Sequence, residues 1–297
     1  MLHLFLPRFW RRFATFLIAA GCAAIAAHAQ PAVTLTPAQV EAGSPELIHV
    51  AAPATAKLDG EWMGHALQFF RAADGRGWFA LAGVDVEAAV GPSTLHITER
   101  LGDHGPRDLS QSVDVLAGHY RTATLSVAPR FVEPPADAMA EIEAEVALKD
   151  KIFTSSATQP LWRGDFHAPV TAEPTDSFGT RRTFNGTLAS VHKGMDFRAR
   201  MGTPVHASNS GVVVLARKLY FEGNCVAIDH GLGLYTISMH LSRIDVQEGE
   251  RVTKGQLLGL SGNTGRVTGP HLHWAVRWEN TYLDPAKLLR MNLDEAR

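Results

Sequence analysis

Cysteine is almost missing from this chain, with only Cys22 and Cys225 among 297 residues. Cys22 falls in an N-terminal stretch expected to be removed, which leaves one thiol and excludes an intramolecular disulfide. Cys225, in Gly223-Asn224-Cys225-Val226-Ala227-Ile228, reads as a small apolar strand residue and not as a nucleophile. Clusters of lysine and arginine are absent too, which excludes a nucleic-acid partner. No His-Glu-x-x-His occurs, so there is no glutamate base on a metal-binding helix. The N-terminal apolar run from Phe13 to Ala27 is shorter than the roughly 20 residues of a spanning helix.

Arg8, Arg11 and Arg12 precede that run, and Ala27-His28-Ala29 supplies a small-x-small cleavage site, the pattern of a secretory signal peptide over residues 1–29. An uncleaved anchor, a lipoprotein signal ending at Cys22 and twin-arginine export are the weaker alternatives. Ala19 stands where a lipoprotein signal needs a larger aliphatic residue. Removing the leader leaves a mature chain of net charge near −5 and no stable membrane span. The bacterial envelope, periplasm included, is the expected address.

The remaining length suits about two domains, with an apolar fraction able to bury a core. Residues 30–132 carry period-two stretches such as Leu47-Ile48-His49-Val50 and Leu95-His96-Ile97-Thr98, broken by glycine and proline, which predict a β-sandwich-like module. Its histidines, His49, His65, His96, His104 and His119, share no motif. Residues 133–170 form a linker with a helix over Asp137–Phe153, capped by Asp137. Met139, Ile142 and Val146 lie on its apolar side, and Glu141, Glu143, Glu145, Lys149 and Lys151 on a solvated face with no function. From 171 to 297, β-branched, glycine-punctuated segments predict a compact antiparallel β domain, making the chain all-β apart from the linker. The Gly249–Gly259 stretch is similar to a turn of lipoyl and biotinyl carriers, but the carrier's lysine setting is missing.

The chemistry concentrates in that last domain. His192-Lys193-Gly194-Met195-Asp196, Ser238-Met239-His240-Leu241 and Gly269-Pro270-His271-Leu272-His273-Trp274 offer imidazole and carboxylate donors, the set that zinc prefers. His271 and His273 share a strand face, so one can bind metal while the other faces the reacting group. Gly194 lets the backbone bend or bulge between His192 and Asp196. Proton transfer falls to histidines left outside the ligand set. His206 and His230 read as structural or rim residues and Asp284-Pro285 as a turn. Asn185, Arg181 and Arg182 are candidates for substrate contact.

Those motifs, joined in order by Gly202-Thr203-Pro204-Val205, Ile228-Asp229-His230-Gly231, Val252-Thr253-Lys254-Gly255-Gln256 and Gly262-Asn263-Thr264-Gly265-Arg266, closely resemble the lysostaphin- and LytM-type zinc endopeptidases of peptidoglycan. The resemblance runs from about Phe178 to Leu289. It implies a duplicated-hybrid-motif β fold, Zn2+ held by His192, Asp196 and His273, and His240 and His271 as the catalytic histidines. The implied substrate is a peptide stem or cross-bridge of peptidoglycan, the bond being D-alanyl–diaminopimelyl or glycyl. A non-catalytic relative that activates a cell-wall amidase is the alternative, and a binding module with a structural metal is a third. Ser238 replaces a frequent tyrosine and Trp274 a usual phenylalanine, departures expected to bear on the rim of the site.

Overall fold

A computed structural model describes residues 32–71, 75, 77–154 and 157–293. The expected signal peptide, residues 1–29, lies outside the described residues. Among the described residues no helix is long and apolar enough to cross a membrane.

Alternating side chains build the first half into two sheets. One runs in the order Val33–Thr36, Pro45–Val50, Trp78–Gly83, Phe69–Arg71, all antiparallel. The other runs Val40–Glu41, Gln111–Leu116, Gly91–Arg100, Lys57–Trp62, His65–Ala66. Ile48, Val50, Ala80, Leu95 and Ile97 bury their side chains completely in the core these sheets share. That is the layered, all-β arrangement which period-two patterning demands.

The second half centres on a large antiparallel sheet in the order Pro174–Asp176, Met195–Phe197, Leu272–Trp278, Leu234–Ile244, Gly223–Asp229, Gly211–Leu219, Arg251–Val252. Ser238 lies opposite Trp274 in its middle, and both are buried. The two positions that depart from the resembled motifs are therefore buried cross-strand partners, in the core and not at the rim. Cys225 is a buried strand residue, as its apolar neighbours required.

The two halves share one hydrophobic core. Phe70 packs edge-on against Trp162 with ring centres 5.9 Å apart, and Lys287 Nζ reaches Glu41 at 2.7 Å. A Cβ on Gly83 would stand 2.6 Å from the Leu283 side chain, so the absence of a side chain there is what allows the contact. Thr122–Leu125 pairs in parallel with Arg181–Phe184, which in turn pairs with Leu188–Val191. A strand from the first half thereby extends the hairpin that leads to His192.

The helix α1 spans Ala136–Ile152 after Pro134-Pro135. Its N-cap is Pro135, without a side-chain cap, and Asp137 sits inside the first turn. The expected apolar side holds only in part: Ile142 is half-buried and Phe153 just beyond the helix is buried, but Met139 and Val146 are 42% and 49% exposed, while Ala138 and Glu145 are buried. Glu145 accepts the Tyr220 N–H with both oxygens at 2.9 and 3.0 Å, and Lys149 pairs with Glu222 at 2.6 Å. The carboxylate is drawn inward because an unmet buried N–H would cost about 1–3 kcal/mol.

Candidate metal centre

Strand pairing assembles the site. Asp196 and His273 are direct cross-strand partners between Met195–Phe197 and Leu272–Trp278, which sets their side chains on one face. His192 enters from the end of the Leu188–Val191 strand, its backbone tied to Thr180 and Gly179 by bonds of 2.9 and 2.8 Å. Gly194 matters for space more than for bending: a Cβ there would lie 2.5 Å from His273 Nε2 and 2.7 Å from the Trp274 carbonyl.

All three side chains are buried. His192 Nε2 lies 3.1 Å from Asp196 Oδ1 and 3.0 Å from His273 Nδ1, and His273 Nδ1 lies 2.8 Å from the same oxygen. These edges approach the ~3.4 Å edge of a tetrahedron with arms of about 2.1 Å. His192 Nδ1–H donates to the Ser177 carbonyl at 2.9 Å, which leaves Nε2 as a bare acceptor. An acceptor nitrogen, a carboxylate oxygen and a nitrogen with at most one proton thus crowd together. A divalent cation satisfies all three, so the donor set fits zinc.

Around it, Arg182 Nη2 donates to Asp196 Oδ2 and to Asp176 Oδ2, both at 2.6 Å. Asp176 also accepts from Thr180, Ser177 and Arg121. Burial pushes the Asp196 carboxyl upward, but its close contacts with the His192 and His273 imidazoles hold it far below the usual carboxylate range. Arg182 is therefore engaged with a ligand, and Asn185 exchanges bonds of 2.9 Å with the Val127 backbone. Arg181 is exposed beside them.

His240 and His271 stand on the other side of the group. His240 has φ +64°, a conformation rare for a residue with a side chain, at an irregularity in the Leu234–Ile244 strand. Its Nδ1 bonds the Thr264 carbonyl at 2.8 Å, and burial, reinforced by the charges of His273 and His271, lowers its pKa to about 3. The ring is neutral at pH 7, with Nε2 available. His271 sits just before its strand, Nδ1 bonded to the Gly269 carbonyl at 2.8 Å and Nε2 3.7 Å from Asp196 Oδ1. The two rings are 5.0 Å apart.

All five residues line one cavity of about 330 Å³, which Leu125, Val127, Phe184, Phe221 and Arg266 also wall. His230 is elsewhere, buried between the Ser210 carbonyl and Thr236 Oγ1 at 2.8 Å each, and Asp284 caps the short helix α2, Pro285–Leu288. Sequence reasoning missed Asp176, whose partners lie up to 55 residues away. It quoted Arg266 without giving it a role, although a lone cation in a glycine-rich loop between site motifs was a signal.

A ligand triangle of two imidazoles and a carboxylate with two further histidines beside it defines a zinc-hydrolase class of site. Residues 190–285 match the model of Peptidase family M23. The chain is 54% identical over 101 residues to the peptidoglycan DD-endopeptidase ShyA of Vibrio cholerae, covering 34% of this chain and 24% of ShyA. It is 40% identical over 98 residues to the DD-carboxypeptidase/endopeptidase Mpg of Neisseria meningitidis, covering 33% of this chain and 23% of Mpg. The matched region is thus about a quarter of those relatives' length. A solved M23 peptidase from Pseudomonas aeruginosa superposes with a TM-score of 0.63 at 26% identity, over 84% of this chain and 95% of that one.

Proposed function

We propose that this protein is an exported, zinc-dependent endopeptidase that hydrolyses peptide cross-links of bacterial peptidoglycan. The observation that carries the reading is the donor triangle of His192, Asp196 and His273 with edges of 2.8–3.1 Å, flanked by His240 and His271 in one cavity. Zinc in such a site supplies a Lewis acid for the scissile carbonyl and acidifies water to a pKa of about 7.

The chain's own residues do the rest. Ser177 fixes the His192 tautomer, and Arg182 holds Asp196 by the oxygen that does not face the histidines. His240 and His271, each with Nδ1 committed to a backbone carbonyl, present Nε2 as the proton-carrying atom. Between them they accept a proton from the attacking water and return one to the leaving amine, steps worth roughly 10²–10⁴-fold. The irregular strand at His240 aims that ring into the cavity.

ShyA is by its name a peptidoglycan DD-endopeptidase and Mpg a DD-carboxypeptidase/endopeptidase, and we extend the substrate class of ShyA to this chain. The signal-like residues 1–29 support export to the envelope. The complete ligand set argues against the amidase-activator alternative. Digestion of purified muropeptides followed by mass spectrometry tests the proposal: the expected products are monomeric stems cut at the cross-link. Intact dimers after prolonged digestion by zinc-loaded protein would refute it.

A further inference from the structure

The loop that follows Thr264 brings Arg266 into the cavity, and no acid among the described residues is bonded to it. Arg266 lies with its guanidinium 5.0 Å from the Phe184 ring centre and 4.8 Å from that of Phe221, held between two faces. Its backbone N–H bonds the Phe221 carbonyl at 2.8 Å, which anchors the loop. Both cavity-lining carboxylates are occupied elsewhere. Asp196 is bound by Arg182, and Glu222 holds Lys149 through Oε1 at 2.6 Å. The second oxygen of Glu222 makes no hydrogen bond, to Arg266 or to any other described residue. Burial and the nearby charge of Arg182 both work against the Arg266 cation, with Glu222 opposing them. A half-buried guanidinium, oriented by rings and with no acid bonded to it among the described residues, is a preformed carboxylate receptor.

Resting on the peptidase reading above, we propose that Arg266 is the specificity-determining residue that binds a free carboxylate of the substrate beside the scissile amide. The chemistry selects between cross-links. When the amine released by cleavage belongs to an amino acid with its own free carboxylate, as at the D-centre of a diaminopimelyl residue, that carboxylate sits one carbon from the bond to be cut. An internal glycyl bridge has no such group, because its next carbonyl is an amide. Arg182 and Lys193 line the same cavity and add to its positive field, whereas Phe184 and Phe221 fix the direction from which the anion is met.

The test uses the full, zinc-loaded chain and two synthetic cross-linked peptide dimers that differ at one group, a carboxylate or a carboxamide on the carbon bearing the scissile nitrogen. The wild type is expected to cleave the acid with a kcat/KM roughly 10–100-fold above the amide. In Arg266→Gln that ratio is expected to collapse toward one, with Arg266→Lys between the two. Calorimetry with the released stem peptide, acid against amide, gives a readout independent of turnover and is expected to show the same discrimination lost in Arg266→Gln. Equal cleavage of acid and amide by the wild type overturns the inference and leaves the peptidase reading standing, and so does an unchanged ratio in folded Arg266→Gln. Failure to cut either dimer overturns both.

Discussion

At the scale of single residues, the site is a problem in proton placement. Ser177 takes the His192 Nδ1 proton and Thr264 takes that of His240, so one imidazole faces the metal position and the other faces the reacting group, each as a bare nitrogen. The roles separate experimentally. Asp196→Ala removes the oxygen shared by His192 and His273, so bound zinc is expected to fall from stoichiometric to a small fraction by elemental analysis, with sacculus hydrolysis lost. His240→Ala leaves the donor triangle intact, so full zinc content is expected with kcat lowered roughly 10²–10⁴-fold. Zinc loss in the His240 variant would show that the ring is structural. These five residues stood out in the sequence through motifs that resemble those of a known family, and the structure brings all five to one cavity. Asp176 did not stand out, and Arg182 stood out only as a candidate for substrate contact, because the Asp176–Arg182–Asp196 chain of bonds depends on a chain path that no spacing rule encodes.

At the scale of elements, strand patterning carried the β architecture through, since alternation of buried and exposed residues is imposed by the pleat itself. The helix shows where such reasoning stops. Ala136–Ile152 begins where the prolines place it, yet it docks by Glu145 and Lys149 and leaves Met139 and Val146 in water. Periodicity counts methyl groups and cannot see a backbone N–H 75 residues away in sequence. The dock bears on the site, because the Glu222 carbonyl accepts the His240 N–H at 2.9 Å and Phe221 flanks Arg266. Glu145→Ala is therefore expected to cost about 1–3 kcal/mol in unfolding free energy. Glu145→Gln, which keeps one acceptor, should lose less. Denaturant titration of the two variants checks the order, and equal losses would contradict it.

At the scale of the whole molecule, the first half contributes a buried acid whose ionisation bears on stability. Glu46 is fully buried in the Pro45–Val50 strand, and burial pushes its carboxyl up to about 8 against the opposing hydrogen bond from Ser44 at 2.5 Å. Its ordinary value is 4.5, so the folded state holds the proton more tightly than the unfolded chain does. The stabilisation is complete below pH 4.5 and is lost as the pH rises to about 8. Glu46→Gln, which mimics the protonated form, is expected to flatten the decline of Tm between pH 5 and pH 9 and to exceed the wild type at the alkaline end. Parallel thermal melts across that range measure it, and superimposable pH profiles would contradict it.

The Thr122–Leu125 strand and the residues just beyond it have one more consequence. Leu125 and Val127 belong to the first half of the chain, yet they border the same cavity as the histidines of the second. A fragment trimmed to residues 171–297 would keep every metal donor and surrender one bank of the cavity that holds them. Transplanting this metal centre into another protein therefore means carrying its upstream neighbour along.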